Sequence, residues 1–394
     1  MQSSAQTAVL SLGTEGKFQD ILGTILLIVP VYRSYTAFLN GMAHRLADRG
    51  WRVHVATDAQ GVEVVGECGV DVHSICMPRG ANPIMILQAS RALEKLIQQL
   101  KPDVVHAHFS ISLLVLALTR RQPGIRYFGT FQGMRFPPVT GLSRFLYKCI
   151  ECFSIYRLDL SWVLTKDDYR AVPSWLKARV QVQSGYGFGC DIDRFDYSRF
   201  NFEDRLSLRE GVGITNDAFV FIFLGRFTEF KGFALVIDAF VQLRRKYKNV
   251  ELLVVGEVDE LHPLSEGVPM ILEGMHICGW QEDPAAYMAI ANCMVFPSNR
   301  EGMPVCVMEA IAMGLPVITS DARGCRDLAE DFVGVVAVER TVASVISAME
   351  HRLLQWDGDI MQERVVSRAE RYKIDRQRFY EAVDTELCFG LKKS

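Results

Sequence analysis

The chain has 394 residues, of which 49% are hydrophobic and 23% charged, and a net charge of −3. With no low-complexity tract, this composition excludes a disordered protein and describes a soluble globular chain long enough to bury two or three cores. The charge is uneven: residues 1–180 hold 20 Lys+Arg against 13 Asp+Glu, and residues 181–394 hold 23 against 33, so a basic first half of +7 precedes an acidic second half of −10. A basic half suits an anionic partner such as a membrane surface or a lipid diphosphate.

Residues 1–20 are polar and patternless and read as a loose extension. Residues 21–31 (ILGTILLIVPV) are too few to span a bilayer. Glu15 and Asp20 precede them and no small-residue cleavage site follows, which argues against a signal peptide, so the run is expected to be a buried first strand. The first half continues with strands at Trp51–Thr57, Val70–Cys76, Val104–Ala107, Tyr127–Thr130 and Leu160–Leu164, interleaved with helices at Ala37–Arg49, Met85–Leu100, around Leu113–Arg121, and Ser143–Tyr156. The second half restarts with strands at Ala218–Leu224, Leu252–Gly256, Met275–Cys278, Met294–Phe296 and Val317–Thr319. Its helices fall at Gly232–Lys246, Pro284–Ala291 and Val305–Met313, with more helix towards the end.

Two series of alternating strand and helix predict an α/β protein of two Rossmann-like domains, whose parallel sheets face a central cleft at their strand C-terminal ends. The expected boundaries are 21–190 for the first domain, 191–204 for a glycine-rich then charged linker, and 205–370 for the second domain. A helical segment, 371–394, then packs back on the first domain. Ten cysteines are scattered singly apart from Cys149-x2-Cys152, which reads as helix-borne buried thiols rather than metal ligands. Reduced cysteines and no export signal point to the cytoplasm.

Three segments carry chemistry. The first, Phe296-Pro-Ser-Asn-Arg-Glu-Gly-Met-Pro-Val-Cys-Val-Met-Glu309, sets Glu301 and Glu309 eight residues apart across a strand end, a Gly/Pro loop and a helix start. Unpaired N–H groups at such a helix start favour anions, and two hydroxyl-binding carboxylates beside a phosphate cradle match a sugar nucleotide. In the second, Gly225-Arg-Phe-Thr-Glu-Phe-Lys-Gly232, Arg226 and Lys231 open a helix, where the macrodipole disfavours cations unless an anion is bound. The third, Pro102-Asp-Val-Val-His-Ala-His108, ends a strand with His106 and His108 on one face.

Glu301-x7-Glu309, with Gly314-Leu-Pro-Val-Ile318 and Gly324-Cys-Arg-Asp327 after it, resembles the donor-site signature of retaining glycosyltransferase family 4. The match extends over nearly the whole chain after residue 20 and is similar to the bacterial members that assemble surface polysaccharides. By this resemblance the fold is the B-type glycosyltransferase fold. Glu301 faces the donor sugar, Gly302, Met303 and Val305 approach the sugar and diphosphate, and Glu309 binds the ribose. Arg226 and Lys231 bind the diphosphate and His108 lines the reaction site, with His106 a packed neighbour. The implied reaction is hexosyl transfer with retention from a nucleotide sugar, a UDP-sugar, to a lipid-diphosphate-linked saccharide in capsule, O-antigen or lipopolysaccharide synthesis. It takes place at the inner face of the cell membrane, with peripheral association to an anionic surface and no nucleic acid.

No metal or other cofactor is assigned. Asp191-Ile192-Asp193 spells the metal-binding triplet of another glycosyltransferase fold, but its place in the linker suits loop-stabilising aspartates. Three departures fall elsewhere. Pro30-Val-Tyr-Arg-Ser-Tyr-Thr36 replaces the family's Gly-Gly turn, Gln132 in Thr130-Phe-Gln-Gly133 stands where histidine is common, and the loop from Gly256 to Leu264 lacks Gly-Asp-Gly. The rival readings are a B-type nucleotide-sugar epimerase and a non-catalytic sugar-binding protein. A nicotinamide dehydrogenase is disfavoured, since no GxGxxG follows the first strand.

Overall fold

The computed structural model describes residues 22–60, 69–80, 82–183, 185–258, 272–356 and 367–391. The expected N-terminal extension and most of the loop from Gly256 to Leu264 lie outside the described residues. The first domain holds strands β1 (Gly23–Val31), β2 (Trp51–Asp58), β3 (Val70–Ser74), β4 (Val104–His108), β5 (Arg126–Phe131), β6 (Leu160–Val163) and β7 (Val180–Val182). They form one parallel sheet in the order β3-β2-β1-β4-β5-β6-β7. The second domain holds β8 (Phe219–Leu224), β9 (Val250–Val255), β10 (Met275–Gly279), β11 (Cys293–Phe296), β12 (Val317–Ser320) and β13 (Val335–Val338). Its parallel order is β10-β9-β8-β11-β12-β13.

The central strands are buried on both faces, Phe219–Leu224 along its whole length, because helices cover each side of a parallel sheet. In both sheets the order reverses at the centre, between β1 and β4 and between β8 and β11. A crevice opens at such a switch point, outside the strand C-terminal ends.

Three departures from the expected elements have physical causes. Helix begins at Tyr32, directly after β1, and runs through a π-helical turn (Tyr35–Leu39) into Asn40–Asp48. No polar side chain caps this start. Instead Tyr32 and Tyr35 are buried in the core, so packing sets a boundary that carries no capping signal. The helix expected around Leu113–Arg121 is Ser110–Ala117, because Phe109, at φ +71°, turns the chain as soon as β4 ends. Finally, β7 and β13 are short edge strands of three and four residues, too brief to show a periodicity.

The chain crosses between the domains twice, and the crossings pair. Cys190 N donates to Ile374 O (2.8 Å), and Arg376 N donates to Cys190 O (2.9 Å). Gly189, at φ +62°, lies so close to Arg376 that a Cβ there would sit 2.7 Å from its backbone nitrogen. In the linker, the Asp191 carboxylate accepts from the amides of Asp193 (3.2 Å) and Arg194 (3.0 Å), closing a turn. The last helix, Arg376–Leu391, lies against the first domain: Phe379, Tyr380 and Val383 join its core, and Gln377 meets Arg45 at 3.0 Å.

Candidate active site

The second-domain wall is built from the loops after β8, β11 and β12. Gly232, at φ +79°, closes the β8 loop against the β11 loop, where a Cβ would collide with the Pro297 carbonyl. Phe230 O accepts from Asn299 N (2.7 Å) and Ser298 Oγ (3.1 Å). Arg340 donates to Pro297 O (3.1 Å) and Glu229 O (2.5 Å), tying both loops together from behind.

This scaffold brings Lys231 and Glu301 into contact: Lys231 Nζ lies 2.6 Å from Glu301 Oε1, which also accepts from Ser298 Oγ at 2.6 Å. Arg226 is exposed at the start of the same loop. Val305 opens the helix Val305–Ala312, whose N-cap, Pro304, provides no side-chain cap, so the helix start presents backbone N–H groups and the positive end of its dipole.

Glu309 lies one turn further along, only partly accessible. Desolvation pushes its carboxyl up to about 7, against the pull of Arg376 and Arg194 and with a push from Asp283. The Cys306 thiol is pushed well above its ordinary value, first by burial. Lys231 opposes that shift, and Glu301 and Glu309 add to it, so all three charged groups surround one sulfur.

The first-domain wall is neutral. β4 ends in His108, fully buried, its ring 4.2 Å from that of His106. His106 Nε2 is 2.9 Å from Thr130 Oγ1, and His108 Nδ1 is 3.5 Å from Gln132 Nε2. Burial lowers His106 to about 3 and holds His108 well below its ordinary value, the neighbouring His106 adding to the latter effect, so both rings are uncharged near pH 7. His108 Nε2, Gln132 Oε1 and Trp162 Nε1 are buried without a protein hydrogen-bond partner. Such atoms carry a desolvation cost that a bound polar group would relieve. Phe109 beside them holds a backbone conformation rarely adopted outside glycine, of the kind that accumulates at functional sites.

The walls meet at glycines. A Cβ on Gly302 would run into the Gln132 carbonyl, one on Gly133 would sit 3.0 Å from the Gly302 Cα, and one on Gly324 would strike the Gly302 carbonyl. Met303 packs on Gly187, just before the linker, 3.0 Å from a Cβ placed there. Ion pairs flank the seam. Arg323 pairs with buried Asp168 and donates to Met134 O (2.8 Å), Arg326 meets Asp167 at 2.9 Å, and Arg33 meets Glu257 at 3.4 Å across the opening. Thus Lys231, Glu301, Gly302 and, through Gln132, His108 form a continuous chain of contacts across the cleft. Glu309 lies towards the paired crossings between the domains, where Arg376 and Arg194 act on its carboxyl.

Sequence reasoning missed Ser298, Arg323 and Arg340. Ser298 lay inside the motif as a potential carboxylate partner, whereas the two arginines reach their targets over sequence separations that no local pattern marks.

Two sequence profiles match the chain, a glycosyl transferase 4-like domain over residues 35–181 and glycosyl transferases group 1 over residues 204–372. An uncharacterised glycosyltransferase of Methanocaldococcus jannaschii is 27% identical over 61% of this chain and 61% of its own length, so the chain spans about three fifths of that relative. A capsular polysaccharide biosynthesis glycosyltransferase, CapM of Staphylococcus aureus, is 24% identical over 78% of this chain and 79% of its own. UDP-Gal:alpha-D-GlcNAc-diphosphoundecaprenol alpha-1,3-galactosyltransferase of Escherichia coli is 24% identical over 71% and 73%. Among solved structures, Anabaena HepE in complex with UDP-glucose superposes with a TM-score of 0.71 at 16% identity, over 93% of this chain and 99% of that one. With both domains matched and two parallel sheets facing one cleft, the chain belongs to the group 1 and 4-like glycosyltransferases of the B-type fold.

Proposed function

We propose that the protein transfers a hexosyl unit from a UDP-sugar to a lipid-diphosphate-linked saccharide during synthesis of a bacterial surface polysaccharide, with retention of anomeric configuration. The observation that carries this reading is the Lys231–Glu301 contact at the uncapped start of the Val305–Ala312 helix, at the switch point of the second sheet. A diphosphate placed there meets Lys231, Arg226 and helix-start amides, while Glu301 is released towards the donor sugar and Glu309 accepts from the ribose hydroxyls. The relatives named for UDP-galactose and for capsular polysaccharide support the donor and the pathway class.

In this mechanism the bond from the anomeric carbon to the diphosphate oxygen breaks as the bond to the acceptor oxygen forms on the same face, and the departing phosphate oxygen takes the acceptor proton. Stabilising charge on the leaving group is then the main catalytic contribution. The first-domain wall supports this division of labour, because His108 is neutral and buried and suits hydrogen bonding to sugar hydroxyls rather than charge stabilisation.

The test is a panel of nucleotide sugars screened by thermal stabilisation, followed by product analysis with a short-chain lipid diphosphate saccharide. The expected outcome is selective stabilisation by a UDP-sugar and an α-linked product from an α-linked donor. Release of nucleotide diphosphate with no new glycoside, or an inverted linkage, overturns the reading.

A further inference from the structure

Three backbone layers stack at the seam between the walls. Gly324, in the loop between β12 and the helix Cys325–Asp331, lies on Gly302 of the β11 loop. Gly302 in turn lies on Gln132 and Gly133 of the loop after β5, and neither Gly302 nor Gly324 has room for a Cβ. Glycines allow this close approach but supply no side chain to hold the layers in register. Arg323 stands beside Gly324 in the first layer, and Met134 beside Gly133 in the third.

Arg323 bridges the outer layers. Its guanidinium pairs with one Asp168 oxygen and donates to Met134 O (2.8 Å), while Met134 N donates to the other Asp168 oxygen (3.3 Å). A guanidinium, a carboxylate and both backbone groups of Met134 therefore close a ring that joins the two domains. Asp168 lies in the first turn of the helix Lys166–Ala171, where the Thr165 side chain accepts from its amide (3.0 Å) and negative charge suits the helix start. The first domain itself thus holds the carboxylate in place.

The bridged segment is also held by Glu151, which accepts from the amides of Arg135 (2.9 Å) and Phe136 (3.3 Å). Burial lowers the Arg323 guanidinium below its ordinary value, and Glu151 and Asp167 oppose that shift, so three first-domain carboxylates act on one second-domain cation. Because Asp168 is fully buried, loss of Arg323 strands a charge beneath the seam, a consequence that an exposed ion pair does not carry.

We infer that Arg323 is a positioning residue: by clamping Met134 and Asp168 it holds the segment from Gln132 to Met134 in register with Gly302, and so aligns Gln132 and His108 with the donor sugar beside Glu301. The inference rests on the proposed transfer reaction, but hydrogen exchange of this segment needs no substrate, so the two fail separately.

The experiment compares wild type, Arg323→Ala, Arg323→Lys, Asp168→Asn and Arg323→Ala/Asp168→Asn by backbone hydrogen exchange with mass spectrometry, UDP titration and steady-state transfer. Arg323→Lys keeps the charge but lacks the planar fork that serves Asp168 and Met134 O together, and it carries the test if Arg323→Ala does not fold. The expected result is exchange over residues 132–136 faster by about tenfold or more, with the rest of the first domain unchanged. Transfer kcat falls by about tenfold through misplacement, while donor KM and UDP affinity stay within about twofold. The double variant is no worse than Arg323→Ala, because the two side chains act as one unit. Four outcomes overturn the inference: unchanged exchange over residues 132–136 in both Arg323 variants, unchanged kcat in a folded Arg323 variant, single-variant losses that multiply in the double variant, or UDP affinity that falls in parallel with kcat. The last makes Arg323 a ligand of the donor diphosphate. A wild type that forms no glycoside removes the transfer reading, and the exchange result alone then decides whether Arg323 clamps the segment.

Discussion

The two walls of the cleft solve opposite electrostatic problems. On the second-domain wall, charge is gathered and paired: Lys231 meets Glu301, Ser298 supports the same carboxylate, and Arg340 ties the supporting loops together. On the first-domain wall, charge is removed and polar atoms are left waiting, with two uncharged histidines and unpartnered His108 Nε2 and Gln132 Oε1. A departing diphosphate needs fixed cations, whereas a sugar hydroxyl needs directional, neutral partners. The difference matches the proposed separation of leaving-group stabilisation from recognition of the transferred sugar and its acceptor.

The strongest way to break this comparison is to remove the cation. Lys231→Ala is expected to lower kcat/KM by roughly 100-fold or more, the usual scale for losing one preorganised charge-stabilising donor, with a smaller change in UDP affinity by titration. A loss confined to KM makes Lys231 a ground-state binding residue and weakens the leaving-group assignment.

Next in size is Glu309→Gln, expected to weaken UDP binding by about tenfold through loss of charge-assisted hydrogen bonds. The same variant tests the environment of the carboxyl. Glu309 is raised to about 7 in the folded chain from 4.5, so between these values the native state holds a proton that the unfolded chain has released. Its contribution to stability is therefore present below about pH 4.5 and is lost as pH rises to 7. His106 and His108 act in the opposite direction: their lowered values mean that stability present above 6.5 is lost as pH falls below it. Urea unfolding between pH 5 and 8 separates the two, because Glu309→Gln removes only the part that favours lower pH, an effect on the order of 2–3 kcal/mol. Identical pH profiles for variant and wild type rule out the buried, raised carboxyl.

The smallest effect is expected on the neutral wall. His108→Ala and Gln132→Ala should leave UDP affinity within about twofold and lower transfer by roughly three- to tenfold, as expected for losing hydrogen bonds to uncharged groups. A matching loss of UDP binding in a steady-state and titration comparison erases the distinction between the walls.

The donor wall was legible as sequence because its residues lie in short, contiguous loops. Glu301 and Glu309 are separated by a single strand-to-helix turn, and Arg226 and Lys231 by another, so local pattern places each pair at one strand end. The Lys231–Glu301 contact was not legible. It depends on β8 and β11 being neighbours at the switch point and on Gly232 admitting the Pro297 carbonyl, a match of two loops seventy residues apart. The early helix start at Tyr32 escaped notice for a related reason, since buried tyrosines rather than a capping side chain hold it.

The amino-acid sequence by itself determined the two α/β series, the family and the loops that carry the proposed donor-side residues, because periodicity, turn glycines and loop motifs are local properties of a chain. Only the tertiary structure decided which strand ends meet and how closely the walls approach at Gly302 and Gln132. It also decided that His108 is buried and uncharged, and that Arg323 meets Asp168 across the seam. Desolvation and close packing depend on what arrives from distant parts of the chain, and no local pattern encodes those neighbours.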